Sequence, residues 1–216
     1  MNRTRLLSTK WSMLTVAQAC VLGASFMYGQ VLASPSSDLL VQLQASSAEG
    51  KLEALESKEM HGCFLENANG EYECSWTGEE YFRVVGIVIG LASDPNPRIR
   101  ELVARYMSRS TDARTLEPLG RMLRDPDAGV RKVAVDAFWT TSLHDVPTQV
   151  RKKILRQIER LLEDTDPSIR GYAAGALVGN GNRQSLEKLK KAHRRETDQK
   201  TRALMAEVIR QLERRK

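Results

Sequence analysis

Two cysteines and a histidine are the residues whose types could most readily bind a metal or carry redox chemistry. Cys63 and Cys74 lie in one short segment, and His61 precedes Cys63 by two positions. Structural zinc sites use four ligands in paired spacings, so three scattered ligands favour a disulfide over a metal site. The spacing also differs from the Cys-x-x-Cys pattern of redox-active pairs, although a redox role stays open. We therefore expect a Cys63–Cys74 disulfide and no metal.

The other polar residues do not form a recognisable catalytic set. His144–Asp145 could orient an imidazole, but no serine or cysteine stands beside it, and a solvated loop is the simpler interpretation. The carboxylate pair Glu79–Glu80 belongs to a helix N-terminus, and Asp164 and Asp166 belong to a turn. The sequence has no phosphate-binding glycine-rich loop and no nucleophile elbow. We assign no catalytic residue and no cofactor.

Two groups of side chains could instead bind a partner. Trp139 is the best candidate for an exposed aromatic residue, although packing against the connection at residues 140–147 is an equal alternative. Lys188, Lys191 and Arg195 crowd one predicted helix near the C-terminus and could meet an acidic partner or an anionic membrane surface. A solvated terminal helix is the simpler explanation of that cluster.

A repeated sequence motif sets the positions of these residues along the chain. An acidic residue opens a turn, an arginine follows six positions later, and apolar residues then recur with helical period. The motif occurs with Asp94 and Arg100, with Asp125 and Arg131, with Asp164 and Arg170, and more loosely with Glu196 and Arg202. Its spacing of roughly 30–45 residues is typical of a stacked repeat array rather than one closed core.

The apolar periodicity and the capping residues predict helices in pairs. Thr77 with Glu80 forms a capping box that starts the first repeat helix, and Asn96 with Pro97 starts the next. The predicted helices are 78–92, 97–107, 113–124, 129–142, 148–163, 167–178, 183–195 and 198–214. The region 78–216 should therefore contain about four helix pairs.

This arrangement resembles HEAT repeats, including the HEAT-like repeats of phycobilin lyases. The resemblance rests on segments such as Asp164-Thr165-Asp166-Pro167-Ser168-Ile169-Arg170. It implies an all-α superhelix whose second helices line the concave side. It also implies a ladder of hydrogen bonds between acidic and arginine side chains of successive turns. The residues that match the family's ladder positions are structural rather than catalytic: Asp94, Arg100, Asp125, Arg131, Asp164, Arg170 and Arg202.

The segment ahead of the repeats has two parts. Residues 1–33 combine a basic start, an apolar run and Val31-Leu32-Ala33, which is the layout of a signal peptide cut after Ala33. An uncleaved membrane anchor and lipidation of Cys20 are the alternatives. Residues 34–77 should form a helical cap with a small β-hairpin, because Asn69-Gly70 is a turn signal between the two cysteines. Export would also favour the disulfide.

The charge is divided between the two ends of the protein. Residues 34–93 carry 3 basic and 10 acidic side chains, whereas residues 94–216 carry 27 basic and 17 acidic ones. The leading hypothesis is an exported, non-enzymatic scaffold that binds a protein or peptide through its concave face. The alternatives are a lyase-type enzyme that acts on a protein substrate, or nucleic-acid binding through the basic C-terminal repeat. Periplasmic or secreted localisation argues against both of these alternatives.

Overall fold

A computed structural model describes residues 37–58, 60, 63, 76–110 and 112–214 of the 216-residue chain. The predicted signal peptide and Cys74 lie outside these residues, so the leader and its cleavage stay predictions. Within the described ranges, no helix is both long enough and apolar enough to cross a membrane. One compact unit spans Ser34–Lys216.

Ten α-helices and two short 3-10 helices make up the described part of this unit. The 3-10 helices are Leu91–Ser93 and Ala113–Thr115. The α-helices are α1 Ser37–Leu43, α2 Ala48–Leu55, α3 Gly78–Gly90, α4 Pro97–Arg109, α5 Leu116–Met122, α6 Ala128–Thr140, α7 Thr148–Leu161, α8 Pro167–Asn180, α9 Arg183–Arg195 and α10 Gln199–Arg214. The eight predicted repeat helices are all present, and their ends lie within a few residues of the predictions.

Capping side chains explain why the second helix of each pair starts where it does. The carboxylate of Asp127 accepts a hydrogen bond from the backbone N–H of Val130, and that of Asp166 accepts one from Ser168. Asn96 does the same for Arg98. These bonds satisfy N–H groups that have no partner within the helix. The predicted capping box at Thr77 is also present.

The helices form two layers. The second helices α4, α6, α8 and α10 pack side by side along the array, whereas the successive first helices α5, α7 and α9 touch one another much less. The layer with the closer spacing lies on the inner side of a curved stack, so α4, α6, α8 and α10 form the inner face. The core between the layers includes the fully buried side chains of Tyr106, Phe138, Ile99 and Ile158.

The N-terminal region differs from the prediction in one respect. The two short helices α1 and α2 occur as expected and pack on α3 and α4, which covers the first end of the array. The predicted β-hairpin, however, is not supported. Cys63, which that hairpin placed on a strand, is helical, and the described residues contain no strand. Residues 64–75, including the Asn69-Gly70 turn, lie outside the described part.

Candidate binding site on the second helices

Three arginines join each turn of the array to the next. Arg100, Arg131 and Arg170 each direct Nε and one terminal nitrogen at both oxygens of a carboxylate in the following turn. The donor–acceptor distances for Arg131 to Asp164 are 2.7 and 3.0 Å. This two-pronged geometry suits the flat guanidinium group and is one of the stronger ion-pair arrangements in proteins.

The same arginines also hold their own turns. Nη1 of Arg131 donates to the backbone carbonyl oxygens of Asp125 and Pro126, at 2.9 and 3.0 Å. Of the two neighbouring ladder carboxylates, Asp125 and Asp164, only Asp164 binds Arg131 through its side chain. The carboxylate of Asp125 pairs with Arg100 instead. Each arginine therefore connects two turns through one carboxylate and two carbonyl groups.

Glu196 takes the place of aspartate in the last rung. Both of its carboxylate oxygens accept bonds from Arg170 at 2.6 Å, and one also accepts the backbone N–H of Asp198. The Arg170 bonds, against the opposing cost of burial, lower the pKa of Glu196 to about 2. The longer glutamate side chain thus completes a rung that the sequence pattern left uncertain.

The two ends of the ladder differ from the family pattern. At the first end, Lys51 occupies the arginine position, and its ammonium lies 2.7 Å from Asp94. At the last end, Arg202 is exposed and makes no ladder contact with any described residue. The carboxylate that the family pattern implies for Arg202 is not found among the described residues, so its place in the ladder stays a prediction.

Trp139 lies across the inner face between α6 and α8. It contacts Tyr172 of α8 edge to face, with ring centroids 5.9 Å apart, and 39% of its surface is exposed. Lys132 places its ammonium 5.8 Å from the centroid of the same tyrosine ring, within reach of a cation–π interaction. Trp139, Tyr172 and Lys132 with Gly175 below them are called the aromatic platform.

Gly175 is what allows the indole to lie on α8. A Cβ atom at this position would lie only 2.5 to 2.7 Å from three carbon atoms of the Trp139 ring. The alternative that Trp139 packs against residues 140–147 is therefore not what the structure shows. Those residues are held by Asn180, which accepts a bond from Leu143 and donates to the carbonyl of Thr141.

Sequence reasoning missed the rest of the platform. It singled out neither Tyr172 nor Gly175 as a site residue. The available signal was a glycine in the middle of a helix, which costs stability unless close packing requires it.

Comparison with known proteins agrees with this architecture. The HEAT repeat family matches residues 78–139. The chain is a HEAT-like helical-repeat protein. Among solved structures, it is similar to a computationally designed armadillo repeat protein for modular peptide recognition, with a TM-score of 0.52 and 13% identity. It is also similar to a designed armadillo repeat protein in complex with the peptide (KR)4, with a TM-score of 0.54 and 15% identity. Each similarity covers 81% of this chain and 80% of the other. Comparison with curated proteins finds no sequence match.

The three basic candidate binding residues of this HEAT-like protein differ in ion pairing and exposure. Lys188 forms an ion pair with Glu159, whose side chain is buried, so its charge is already compensated. Lys191 is exposed. Arg195 is exposed as well and lines a groove with Arg170, Glu196 and Leu162. Lys191 and Arg195 are therefore accessible to a ligand, whereas Lys188 stabilises the contact between α7 and α9.

The residues that could carry metal, redox or catalytic chemistry are not gathered in one site among the described residues. Cys63 is buried, but Cys74 lies outside the described residues, so the disulfide between them stays a prediction. His144 and Asp145 are both exposed on the connection after α6. Among the described residues, no group of three or more histidine, cysteine or acidic side chains could hold a metal.

Proposed function

We propose that this HEAT-like protein is a non-enzymatic scaffold that binds an extended peptide or protein segment along its inner face. The single observation that carries this proposal is the aromatic platform, where Trp139 is exposed at a site with a built support. A repeat protein of this fold can present such a face, since one of the designed armadillo proteins has the peptide (KR)4 bound.

The support beneath Trp139 is what makes this residue suited to binding. Tryptophan has few rotatable bonds, so a held indole loses little conformational entropy when it meets a ligand. Gly175 and Tyr172 contact the ring and restrict its position before any partner arrives. Exposed aromatic residues with packed neighbours are typical energetic centres of protein interfaces. A partner would therefore gain apolar contact at the platform without first ordering it.

Charged side chains on the neighbouring helix could orient the partner. On α4, Glu101 contacts both Arg98 and Arg105 through its carboxylate oxygens. All three residues belong to the inner layer; Arg98 is exposed, and Arg105 is partly exposed. Surface ion pairs of this kind are weak and can exchange with groups of a ligand at little cost. The partner in this proposal is a protein or peptide without a small-molecule cofactor.

The proposal includes export of the protein. It is supported by the basic and apolar layout of residues 1–33 and by the cysteine content of the segment that follows. A periplasmic or secreted scaffold would meet its partner in that compartment, and a membrane-anchored form is the alternative.

An immobilised peptide array tests the proposal. The full chain should bind a subset of peptides, and Trp139→Ala should weaken that binding by about tenfold, as expected for the central residue of an interface. Phe82→Ala is the matched control, because Phe82 is 53% exposed and lies on α3, outside the inner layer. Unchanged binding by Trp139→Ala, or equal losses in both variants, would exclude the aromatic platform as the binding site.

A further inference from the structure

The first helices carry much of the basic charge of the chain. On α5, α7 and α9, twelve lysines and arginines outnumber three acidic residues. The basic residues are Arg121 on α5, Arg151, Lys152, Lys153, Arg156 and Arg160 on α7, and Arg183, Lys188, Lys190, Lys191, Arg194 and Arg195 on α9. The inner face lacks this excess on α6 and α8, where the only exposed charged side chains are Lys132 and Asp136. The helices α5, α7 and α9 therefore form a basic surface on the layer opposite the aromatic platform.

A groove between α5 and α7 lies within this basic layer. Its volume is about 360 Å³, and its apolar part is formed by Val150 and Ile154. Gly120 completes this part, and a Cβ atom there would lie 2.9 Å from Cγ1 of Ile154. The glycine thus lets the two helices approach closely at the bottom of the groove.

Cationic side chains line the groove on both sides. Arg121 and Arg124 belong to the α5 side and Lys153 to the α7 side. The ammonium of Lys153 lies 2.8 Å from the carboxylate of Glu117. Arg121 and Arg124 are exposed, and neither forms an ion pair with any described residue. Two exposed guanidinium groups, neither in a direct ion pair with a described residue, therefore lie beside an apolar strip.

We propose that the α5–α7 groove docks an extended acidic segment of a partner protein. The guanidinium groups of Arg121 and Arg124 would bind carboxylates, and an aliphatic side chain between those carboxylates would contact Val150 and Ile154. This surface is separate from the aromatic platform and does not depend on it. The two guanidinium groups favour a partner with negative charge, by charge complementarity. The apolar strip favours a polypeptide, whose aliphatic side chains can fill it.

The surroundings of the groove favour a polypeptide over other anionic partners. The exposed large apolar side chains of the described residues are Val41, Phe82 and Trp139, and none of them lies on α5, α7 or α9. The three helices α5, α7 and α9 therefore offer no exposed large apolar anchor for insertion into a bilayer. They also carry no phenylalanine, tyrosine or tryptophan on which the bases of a single strand could stack.

Fluorescence anisotropy on the purified full chain tests the proposal. The probe is a labelled synthetic peptide in which glutamates flank two central leucines, at about 0.15 M salt. The peptide should bind, and Arg121→Glu with Arg124→Glu should reduce its affinity by about tenfold or more. The matched control is Arg183→Glu with Lys191→Glu, which makes the same change in net charge on α9. It should reduce the affinity by less than about threefold, because long-range attraction is screened.

A second variant separates the apolar strip from charge. Gln157 lines the groove and is neutral, so Gln157→Trp should fill the groove without changing any charge. It should reduce the affinity for the peptide by about tenfold. Thermal melting of each variant verifies that it is folded.

Four results would overturn the proposal. They are no binding of the peptide, equal losses in the two charge-reversal pairs, full binding by the folded Gln157→Trp variant, and tighter binding of another anion. The other anions tested are phosphatidylcholine vesicles that contain phosphatidylglycerol and a single-stranded oligonucleotide. Because none of these variants alters the aromatic platform, their results are distinguishable from failure of the inner-face site.

Discussion

At the scale of single residues, the ladder arginines do more than pair with a carboxylate. Arg131 satisfies two carbonyl groups of its own turn and both oxygens of Asp164 at the same time. Its side chain and that of Asp164 are largely buried, with 15% and 6% exposed. Removing one partner from such a pair leaves the other buried and poorly compensated, which costs more than the intact pair contributes.

Replacing Arg131 by alanine should therefore be strongly destabilising. We expect Arg131→Ala to lower the free energy of unfolding by about 2–4 kcal/mol, which thermal and urea unfolding can measure. Arg131→Lys should recover little of this loss, because a single ammonium cannot reproduce the two-pronged contact.

An exposed arginine provides the control for this experiment. Arg156 of α7 is exposed and has no ion pair with any described residue, so Arg156→Ala should change stability by less than about 0.5 kcal/mol. If Arg131→Ala melts like the unmodified chain yet abolishes binding to a partner, Arg131 belongs to a binding site and its structural role is refuted.

At the scale of elements, the contact between α6 and α8 depends on the absence of a side chain at Gly175. The indole of Trp139 occupies the space that a Cβ atom would need. The same helix contains Gly179, where a Cβ atom would have no neighbour within 4 Å. Of these two glycines, which lie one helical turn apart, only Gly175 is at a position where a side chain would clash with a neighbour.

Alanine substitutions at these two glycines should have opposite effects. Gly175→Ala should destabilise the protein by about 1–3 kcal/mol through overpacking and displace the Trp139 ring, which shifts tryptophan emission to the red. Gly179→Ala should leave stability unchanged or raise it by about 0.5–1 kcal/mol, since alanine is the better helix former.

A double variant tests whether Trp139 causes the difference. Combining Gly175→Ala with Trp139→Ala should give a smaller loss than the sum of the two single losses, because the steric conflict is then removed. Additive losses would show that the indole does not rest on Gly175 in solution.

At the scale of the whole molecule, the two faces of the array have different character. The inner face presents an aromatic platform of low charge, and the outer face presents an apolar groove between cations. Because repeat proteins gain stability from contacts between neighbouring repeats, the ladder keeps both faces in register.

The proposed export of this molecule leads to a prediction about its covalent state. Protein recovered from the cell envelope or medium should begin at Ser34 and should contain a Cys63–Cys74 disulfide. N-terminal sequencing and peptide mass spectrometry without reduction measure both features. An intact Met1 terminus would indicate an anchor or an unexported protein, and free thiols at both cysteines would contradict the disulfide.

Local sequence signals were sufficient to predict the repeat helices of this protein, but they did not predict the helical conformation at Cys63. The apolar period, the caps at Asn96 and Thr77 and the recurring pair of an acidic residue and an arginine all act within one or two helical turns. A short-range pattern of this kind identifies helices and their order regardless of what the rest of the chain does. The repeated spacing then indicated a stacked array, because identical units that cannot bury their apolar faces alone pack on one another.

Tertiary structure decided the contacts between helices. Trp139 rests on Gly175 rather than on its own connection, and Lys188 is compensated by Glu159. Each of these outcomes depends on the offset at which one helix meets another, and residues distant in sequence set that offset. The helical period is encoded locally, whereas the neighbour that a side chain meets is determined only when the layers are packed.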